Sequence, residues 1–388
     1  MKRRICIATG TRADWGLLSP IAQALNKRDD VDLKIIATNM HLSEEYGSTW
    51  KEIENDGLKI DWRVKMKSDA DTRKDTVLAM SECMAGMAEA LAALQPDLLV
   101  ILGDRYEMLA TASAALILRI PIAHIAGGAI SQGAYDESIR HAITKMSHIH
   151  LTETERYRKR VIQLGENPEH VIYTGAIGVY NIMHTQYISR EQLERELNLT
   201  LSDRLILATF HPATLDEMPP QQQCKNLLAA LDRHPDYQTI FTYPNNDSEG
   251  RIIIQLIESY RRRHPERVAV FPSLGMRRYL SMLHCATAVV GNSSSGIVEV
   301  PSIGIPTLDI GIRQMGRTAA PSVLHCGVSE EEIADGLETV LSSSFRLIAK
   351  SAENPYYLPD TLEKMVDAIV NTPLDNIIIK PFYDVKFK

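Results

Sequence analysis

The sequence predicts an α/β protein made of two β/α halves, each built on a parallel sheet. Three observations carry that expectation. Short β-branched apolar runs alternate with segments of helical period, the order of βαβ units. Most of these runs stop at glycine-rich or charged turns, so polar groups collect where strands end. The alternation then starts afresh near residue 200 without repeating the first half's sequence. A chain of 388 residues is also too long for one typical domain and comfortable for two.

Residues 4–9 read as a strand that ends in Gly10-Thr11-Arg12, residues 15–25 as a helix and 31–38 as a second strand. That βαβ unit sets the parallel sheet. Its turn lacks the G-x-G-x-x-G of dinucleotide folds, which disfavours a nicotinamide or flavin cofactor. Arg12 falls at the carboxyl edge of the sheet, where open α/β sheets bind ligands, although a surface salt bridge would explain it equally well. A strand over 58–64 and a long helix over 76–94 follow, with Met80, Met84 and Met87 as core filler. The apolar strand 98–102 stops at Gly103-Asp104-Arg105, which places an acid and a base at its tip. After a helix over 106–118, the strand 121–125 contains His124 and ends at Ala126-Gly127-Gly128-Ala129. The doubled glycine is expected to let a ligand approach the backbone. Asp136-Glu137-Ser138-Ile139-Arg140-His141 begins a helix with two acids at its dipole-favoured end. A strand at 149–152, a helix at 153–164 and a strand at 171–174 complete the first half, with Gly175-Ala176-Ile177-Gly178 as the crossover.

In the second half a helix spans 187–199. Strands are expected at 204–210, 238–242, 268–271, 286–290 and 307–310, with helices at about 224–231, 252–262, 277–283, 330–341 and 362–370. The tail 377–388 is apolar enough to pack back on the body. The expected domains are therefore 1–175 and 176–370, with 371–388 as the returning tail.

Four turns of the second half carry chemistry. The strand 286–290 breaks at Gly291-Asn292-Ser293-Ser294-Ser295-Gly296 and restarts as a helical turn that bears Glu299. Free N–H groups, the positive end of the helix dipole and three hydroxyls would converge there, which suits a phosphate or pyrophosphate. An ordinary serine-capped helix is the plainer alternative. His211 follows a strand and could equally be a structural turn histidine. Tyr243-Pro244-Asn245-Asn246 is a polar turn able to hold an anion or a ribose. Arg313 and Arg317, four apart around Gly316, can clamp a diphosphate.

Composition narrows the classes. Hydrophobic residues at 45% and charged residues at 23% describe an ordinary globular protein. A net charge of −7 offers no basic field for nucleic acid or an anionic membrane. No apolar run reaches the roughly 18–20 residues of a membrane span, and the N-terminus enters a strand without a signal-peptide core. Five cysteines, an odd count without C-x-x-C spacing, suit a reducing cytoplasm and neither a disulfide framework nor a zinc site.

Taken together, Gly10-Thr11-Arg12-Ala13-Asp14, Gly103-Asp104-Arg105, His124-Ile125-x-Gly127-Gly128, the run from Asp136 to Lys145, Gly291-Asn292-Ser293-Ser294-Ser295-Gly296 and Gly311-x-Arg313-Gln314-x-Gly316-Arg317 resemble the hydrolysing UDP-N-acetylglucosamine 2-epimerases of sialic-acid and legionaminic-acid synthesis. The resemblance covers nearly the whole chain. It implies a glycosyltransferase-B type architecture, with two Rossmann-like domains facing across a cleft. It implies no cofactor, no metal and a homodimer or homotetramer, and makes a UDP-sugar the partner. In such enzymes the C2 proton and the UDP are eliminated and water adds to the resulting glycal. Carried over residue by residue, Asp104, Asp136 and His211 become the catalytic set. Arg12 would reach the pyrophosphate, with Arg105 and Asn245 also on the substrate. Ser293, Ser294, Arg313 and Arg317 would hold the phosphates, and Glu299 the ribose. One departure stands out: Ala126 and Ala129 occupy positions where similar enzymes carry a glutamate or histidine and a glutamate. A non-hydrolysing 2-epimerase, a glycosyltransferase of the same fold and a weakened or non-catalytic UDP-sugar binder remain open alternatives.

Overall fold

The structure, a computed structural model, describes residues 2–67, 72–213, 215–244 and 249–386. Among these residues the chain gathers into two compact units. One comprises 1–129, 136–181 and 358–388, the other 130–135 and 182–357. These are not the two continuous halves expected from the sequence. Residues 358–370, assigned above to the second domain, belong to the first unit, and 130–135 belong to the second.

The first unit holds seven parallel strands: β1 (Arg3–Thr9), β2 (Val31–Thr38), β3 (Trp62–Val64), β4 (Leu98–Leu102), β5 (Ile122–Ile125), β6 (Ile149–Thr152) and β7 (Val171–Tyr173). Their order is β3-β2-β1-β4-β5-β6-β7. The central runs are apolar throughout because both sheet faces are covered, so alternation is lost: all five residues of β4 are buried. Helices start where polar caps permit. Thr11 caps the helix Arg12–Asn26, with Asp14 closing a capping box, and Thr72 with Asp75 does the same for Arg73–Leu94.

The returning C-terminal segment is held by packing. The helix Thr361–Asn371 lays Met365, Ala368 and Ile369 into the core that also contains Leu18, Ile21 and Leu25. Met365 and Ile369, both without exposed surface, contribute about 1.5–3 kcal/mol each. Arg3 fixes the helix end by donating to the carbonyls of Ile369 at 3.1 Å and Thr372 at 3.0 Å. The expected crossover at 175–178 leads into a helix, Ile177–His184, within which the chain passes from the first unit to the second at Asn181–Ile182.

The second unit holds six parallel strands: β8 (Leu205–Thr209), β9 (Gln238–Thr242), β10 (Val268–Phe271), β11 (Ala288–Gly291), β12 (Thr307–Ile310) and β13 (Val323–Cys326), in the order β10-β9-β8-β11-β12-β13. Its six strands repeat the order of the first six positions of the first sheet. In both, the strand order reverses at one point, between β1 and β4 and between β8 and β11. Open α/β sheets bind ligands beyond the carboxyl ends of strands at such a point.

The helix Arg73–Leu94 is long and apolar enough to cross a membrane by length and composition, against the sequence expectation. It carries Glu82 and Glu89, and its stripe of Ala79, Cys83, Met87, Ala90 and Leu91 is buried in the protein. Met84, expected in the core, is 40% exposed.

Candidate active site

In the first unit the reversal point lies between the ends of β1 and β4. Arg12 follows β1 as the first residue of its helix, and Asp104 and Arg105 follow β4. Arg105 is buried. Its Nε donates to Glu107 Oε1 at 3.1 Å, and its guanidinium lies 5.4 Å from the centre of the Tyr106 ring. Glu107 has no exposed surface, and it fits because Gly10 has no side chain: a Cβ there would stand 2.6 Å from Glu107 Oε1. Asp14 shares this corner. Burial first and the Glu107 charge second raise its carboxyl to about 7.

Asp104 is organised by a residue that the sequence reading left out of the site. Arg140, 1% exposed, sends its Nη2 to Asp104 Oδ2 and its Nη1 to Glu137 Oε2 at 3.0 Å and to the Ala129 carbonyl at 3.1 Å. Glu137 uses its other oxygen on His141 Nε2, at 3.0 Å. The helix Asp136–Met146 explains the grouping. Positions 137, 140 and 141 stand at i, i+3 and i+4 on one face, and Asp136 is the first residue. The result is a buried guanidinium that floors two partly exposed carboxylates and an imidazole. His124, on β5, closes the group from below. Its Nε2 lies 2.7 Å from the Gly103 carbonyl and its Nδ1 lies 3.3 Å from Thr144 Oγ1. Burial pushes this imidazole down to about 3.

The protein's own packing also requires the doubled glycine. A Cβ on Gly128 would stand 2.6 Å from the Tyr157 carbonyl oxygen, and one on Gly127 would stand 3.1 Å from His124 Nδ1. Ala126 adopts a left-handed backbone, φ 67°, which costs an L-residue about 1–2 kcal/mol.

In the second unit the reversal point lies between β8 and β11, whose ends carry His211 and Asn292. Gly291 lets the two strands close up, since a Cβ there would stand 2.0 Å from the Thr209 carbonyl. Asn292, 1% exposed, takes the His211 N–H on Oδ1 at 2.7 Å and gives its Nδ2–H to the His211 carbonyl at 2.9 Å. Its own carbonyl accepts from Arg313 Nη1 at 3.0 Å and Gln314 Nε2 at 2.9 Å. Asn292 thereby gathers His211, the serine turn and the arginine loop, and sequence reading missed this role.

Ser293 caps the helix Ser294–Val298, and Tyr279 donates to Ser295 Oγ at 2.8 Å. That helix is a single turn of five residues, so its dipole is weaker than the sequence suggested. Among the described residues, no protein acceptor takes the Ser293 or Ser294 N–H. Arg317 donates from Nη2 to Ser131 Oγ at 3.3 Å, and its charge pulls against the burial that raises the Glu299 carboxyl. Asp309, buried at the end of β12, meets His325 Nδ1 at 2.8 Å. Asn245 lies outside the described residues. No group of three metal-ligating side chains occurs among the described residues.

Comparison with known proteins agrees with both units. The family model for UDP-N-acetylglucosamine 2-epimerase matches residues 23–370. The chain is 37% identical over 385 residues to a "GDP/UDP-N,N'-diacetylbacillosamine 2-epimerase (hydrolyzing)" of Campylobacter jejuni, covering 99% of this chain and 100% of that one. It is 33% identical over 342 residues to a "UDP-N,N'-diacetylbacillosamine 2-epimerase (hydrolyzing)" of Legionella pneumophila, covering 88% and 90%. Its fold matches the crystal structure of a UDP-GlcNAc 2-epimerase of Neisseria meningitidis bound to UDP-GlcNAc. The TM-score there is 0.77, at 17% identity, over 95% of this chain and 100% of that one. With the repeated sheet order and the residues gathered at both reversal points, these matches make the chain a member of the UDP-N-acetylglucosamine 2-epimerase family.

Proposed function

We propose that the chain is a hydrolysing UDP-sugar 2-epimerase, which converts a UDP-linked 2-acetamido sugar to UDP and the free 2-epimeric manno-sugar. The end-to-end identity with a hydrolysing relative carries the reading. The substrate is UDP-N-acetylglucosamine or UDP-2,4-diacetamido-2,4,6-trideoxyglucose. The diacetamido sugar is favoured because two relatives are named for it.

The chemistry calls for two kinds of group. A base takes the C2 proton while the C1–O bond breaks and its electron pair leaves on the UDP. The C1–C2 double bond so formed then takes hydroxide at C1 and a proton at C2 on the opposite face. Such steps need positioned acids and bases together with cations at the leaving diphosphate. In the first unit Asp104, Asp136, Glu137 and His141 supply acid and base groups around Arg140, and Arg12 and Arg105 supply positive charge. In the second unit the Ser293 and Ser294 amides with Arg313 and Arg317 suit the diphosphate. Glu299 suits the ribose hydroxyls, and His211 stands beside them.

The proposal includes the cytoplasmic setting and a homo-oligomer. The helices Arg73–Leu94 and Tyr106–Ile117 pack side by side and leave Val77 64%, Leu78 48% and Ile117 81% exposed, an apolar surface suited to a second copy. Sedimentation showing a monomer at all concentrations would remove that part.

The test is a proton-NMR time course with both UDP-sugars in heavy water. The expected products are UDP and a free sugar with deuterium at C2. A UDP-sugar product would identify a non-hydrolysing epimerase, and retention of the original C2 hydrogen would exclude elimination and addition.

A further inference from the structure

We infer that Lys380, on the C-terminal tail, is a positioning residue for the acid–base cluster of the first unit. The inference rests on the proposed epimerase activity and extends it to residues remote from the sugar. The helix Asp136–Met146 presents Glu137, Arg140 and His141 from its first turns, and its last turn is where the tail takes hold. Lys380 Nζ donates to the Lys145 carbonyl at 2.6 Å and the Ser147 carbonyl at 2.7 Å, and it pairs with Glu166 Oε2 at 2.9 Å. An ammonium has three N–H donors, and here each finds an acceptor. The two carbonyls lie where a helix leaves its last acceptors unpaired and where its dipole favours a cation.

Glu166 ties this contact into the sheet. It is 1% exposed and also accepts from Lys145 Nζ at 2.5 Å and meets His150 Nε2 at 2.9 Å. His150 stands on β6 directly beside His124 on β5, and His124 touches the Gly103 carbonyl next to Asp104. The tail adds a second hold. The Phe382 ring lies against Gly165 and 4.9 Å from Lys145 Nζ, and the Tyr383 N–H donates to the Gly165 carbonyl at 2.9 Å. Arg140 stands five residues before Lys145, about 7.5 Å along the same rigid rod. A shift where the tail holds the rod therefore moves the guanidinium that sets Asp104. Two carbonyls and a buried carboxylate are more than an exposed tail needs merely to lie down, and together they join the end of this helix to β6.

The experiment compares Lys380→Met, Lys380→Arg and Phe382→Ala with the unaltered chain. Phe382 is 64% exposed, so its removal keeps the question open should Lys380→Met fail to fold. Readouts are kcat and KM for the UDP-sugar, the affinity for UDP, and hydrogen exchange of the 136–146 amides. Lys380→Met should lower kcat by about tenfold or more, on the scale of a lost charge-assisted hydrogen bond. KM and UDP affinity should stay near the original values, amide exchange in the helix should rise, and Lys380→Arg should recover part of the rate. Phe382→Ala should show the same pattern more weakly. An unchanged kcat in folded Lys380→Met, or in Phe382→Ala if the former does not fold, overturns the inference whatever the melting temperature does. If the unaltered chain turns over neither UDP-sugar, the epimerase reading has failed. Helix exchange then decides this inference alone, and unchanged protection overturns it.

Discussion

Asn292 grips the backbone of His211 from both sides, accepting its N–H at 2.7 Å and donating to its carbonyl at 2.9 Å. The contact joins the ends of β8 and β11 where the strand order of the second sheet reverses. Asn292→Ala should therefore leave a buried donor and a buried acceptor unsatisfied, at a cost of about 1–3 kcal/mol for each. A lower urea midpoint with a weaker response to UDP is the expected result. An unchanged midpoint would mean that the grip contributes nothing.

Asp104 has the opposite kind of partner, a buried guanidinium in place of a backbone. Asp104→Asn keeps the shape and removes the charge facing Arg140. Turnover should fall by ~10²–10⁴-fold, the span of a lost acid or base. Loss of one partner of a buried ion pair costs about 3–5 kcal/mol. The low end is expected here, because Asp104 is 22% exposed and Glu137 still serves Arg140. UDP affinity, measured by titration calorimetry, should be unchanged, since Ser293, Ser294, Arg313 and Arg317 lie in the other unit. Near-full turnover in the variant would take Asp104 out of the mechanism.

The strand ends were legible because buried parallel strands show as short apolar runs and their turns as Gly-Asp-Arg or Gly-Asn-Ser. That logic located Asp104, His211, Ser293 and Arg313 beyond the carboxyl ends of β4, β8, β11 and β12. It missed β13, a four-residue edge strand whose His325 breaks the apolar run. The helix Ser343–Ser351, whose three serines weaken the apolar pattern, was missed as well. Arg140 and Asn292 stayed hidden for another reason. Their importance lies in contacts across 36 and 81 positions, to Asp104 and His211, which no local pattern encodes. The return of 358–388 to the first unit is equally nonlocal, fixed by Met365 and Ile369 packing among residues of the first helix.

Acid should weaken the fold from about pH 6.5 downward. Burial pushes the His41 and His124 imidazoles down to about 3, and burial aided by the Lys380 charge pushes His148 to about 4. The unfolded chain protonates these groups near the ordinary value of about 6.5. Below that pH the unfolded state binds protons that the folded state refuses. Stability is thus complete above about 6.5 and falls with pH by up to about 1.4 kcal/mol per unit for each histidine. Asp14 acts the other way. Raised to about 7, it holds a proton in the fold that the unfolded chain releases, so it adds stability as pH falls from about 7 toward 3.8. Glu166, held at about 2 by His150, Lys145 and Lys380 against its burial, loses its contribution only below about 4.5. Burial pushes His150 and His284 down as well, whereas burial raises Glu299 and Asp309 and the Asp309 carboxylate raises His325, so these three act with Asp14. Five lowered histidines oppose these four groups, so the urea midpoint should drop between pH 7 and pH 5, and His124→Gln should flatten the slope. A midpoint that is level or rises over this interval would contradict the assignment.

Ala129 is one of the two positions where the sequence is expected to depart from the enzymes it resembles, and its own geometry makes a forecast there. It is 1% exposed, and its carbonyl accepts from the Arg140 guanidinium that also holds Asp104 and Glu137. A methyl group here supplies no proton and no hydrogen bond. Ala129→Glu would bring a third carboxylate to a cation that already serves two, in a place that excludes water. Burying a polar group with incomplete compensation costs about 1–3 kcal/mol, so the melting temperature should fall. If position 129 belongs to the acid–base set, turnover should nevertheless rise, by up to the ~10²–10⁴-fold of a restored acid or base. UDP affinity should not change. Ala129→Gln separates the two effects, because it has the same bulk and polarity but cannot exchange a proton at neutral pH. It should show a stability loss of the same kind without the gain in rate. An Ala129→Glu protein no faster than Ala129→Gln would show that residue 129 only packs, and that the acids and bases on the helix Asp136–Met146 and at the end of β4 act without it.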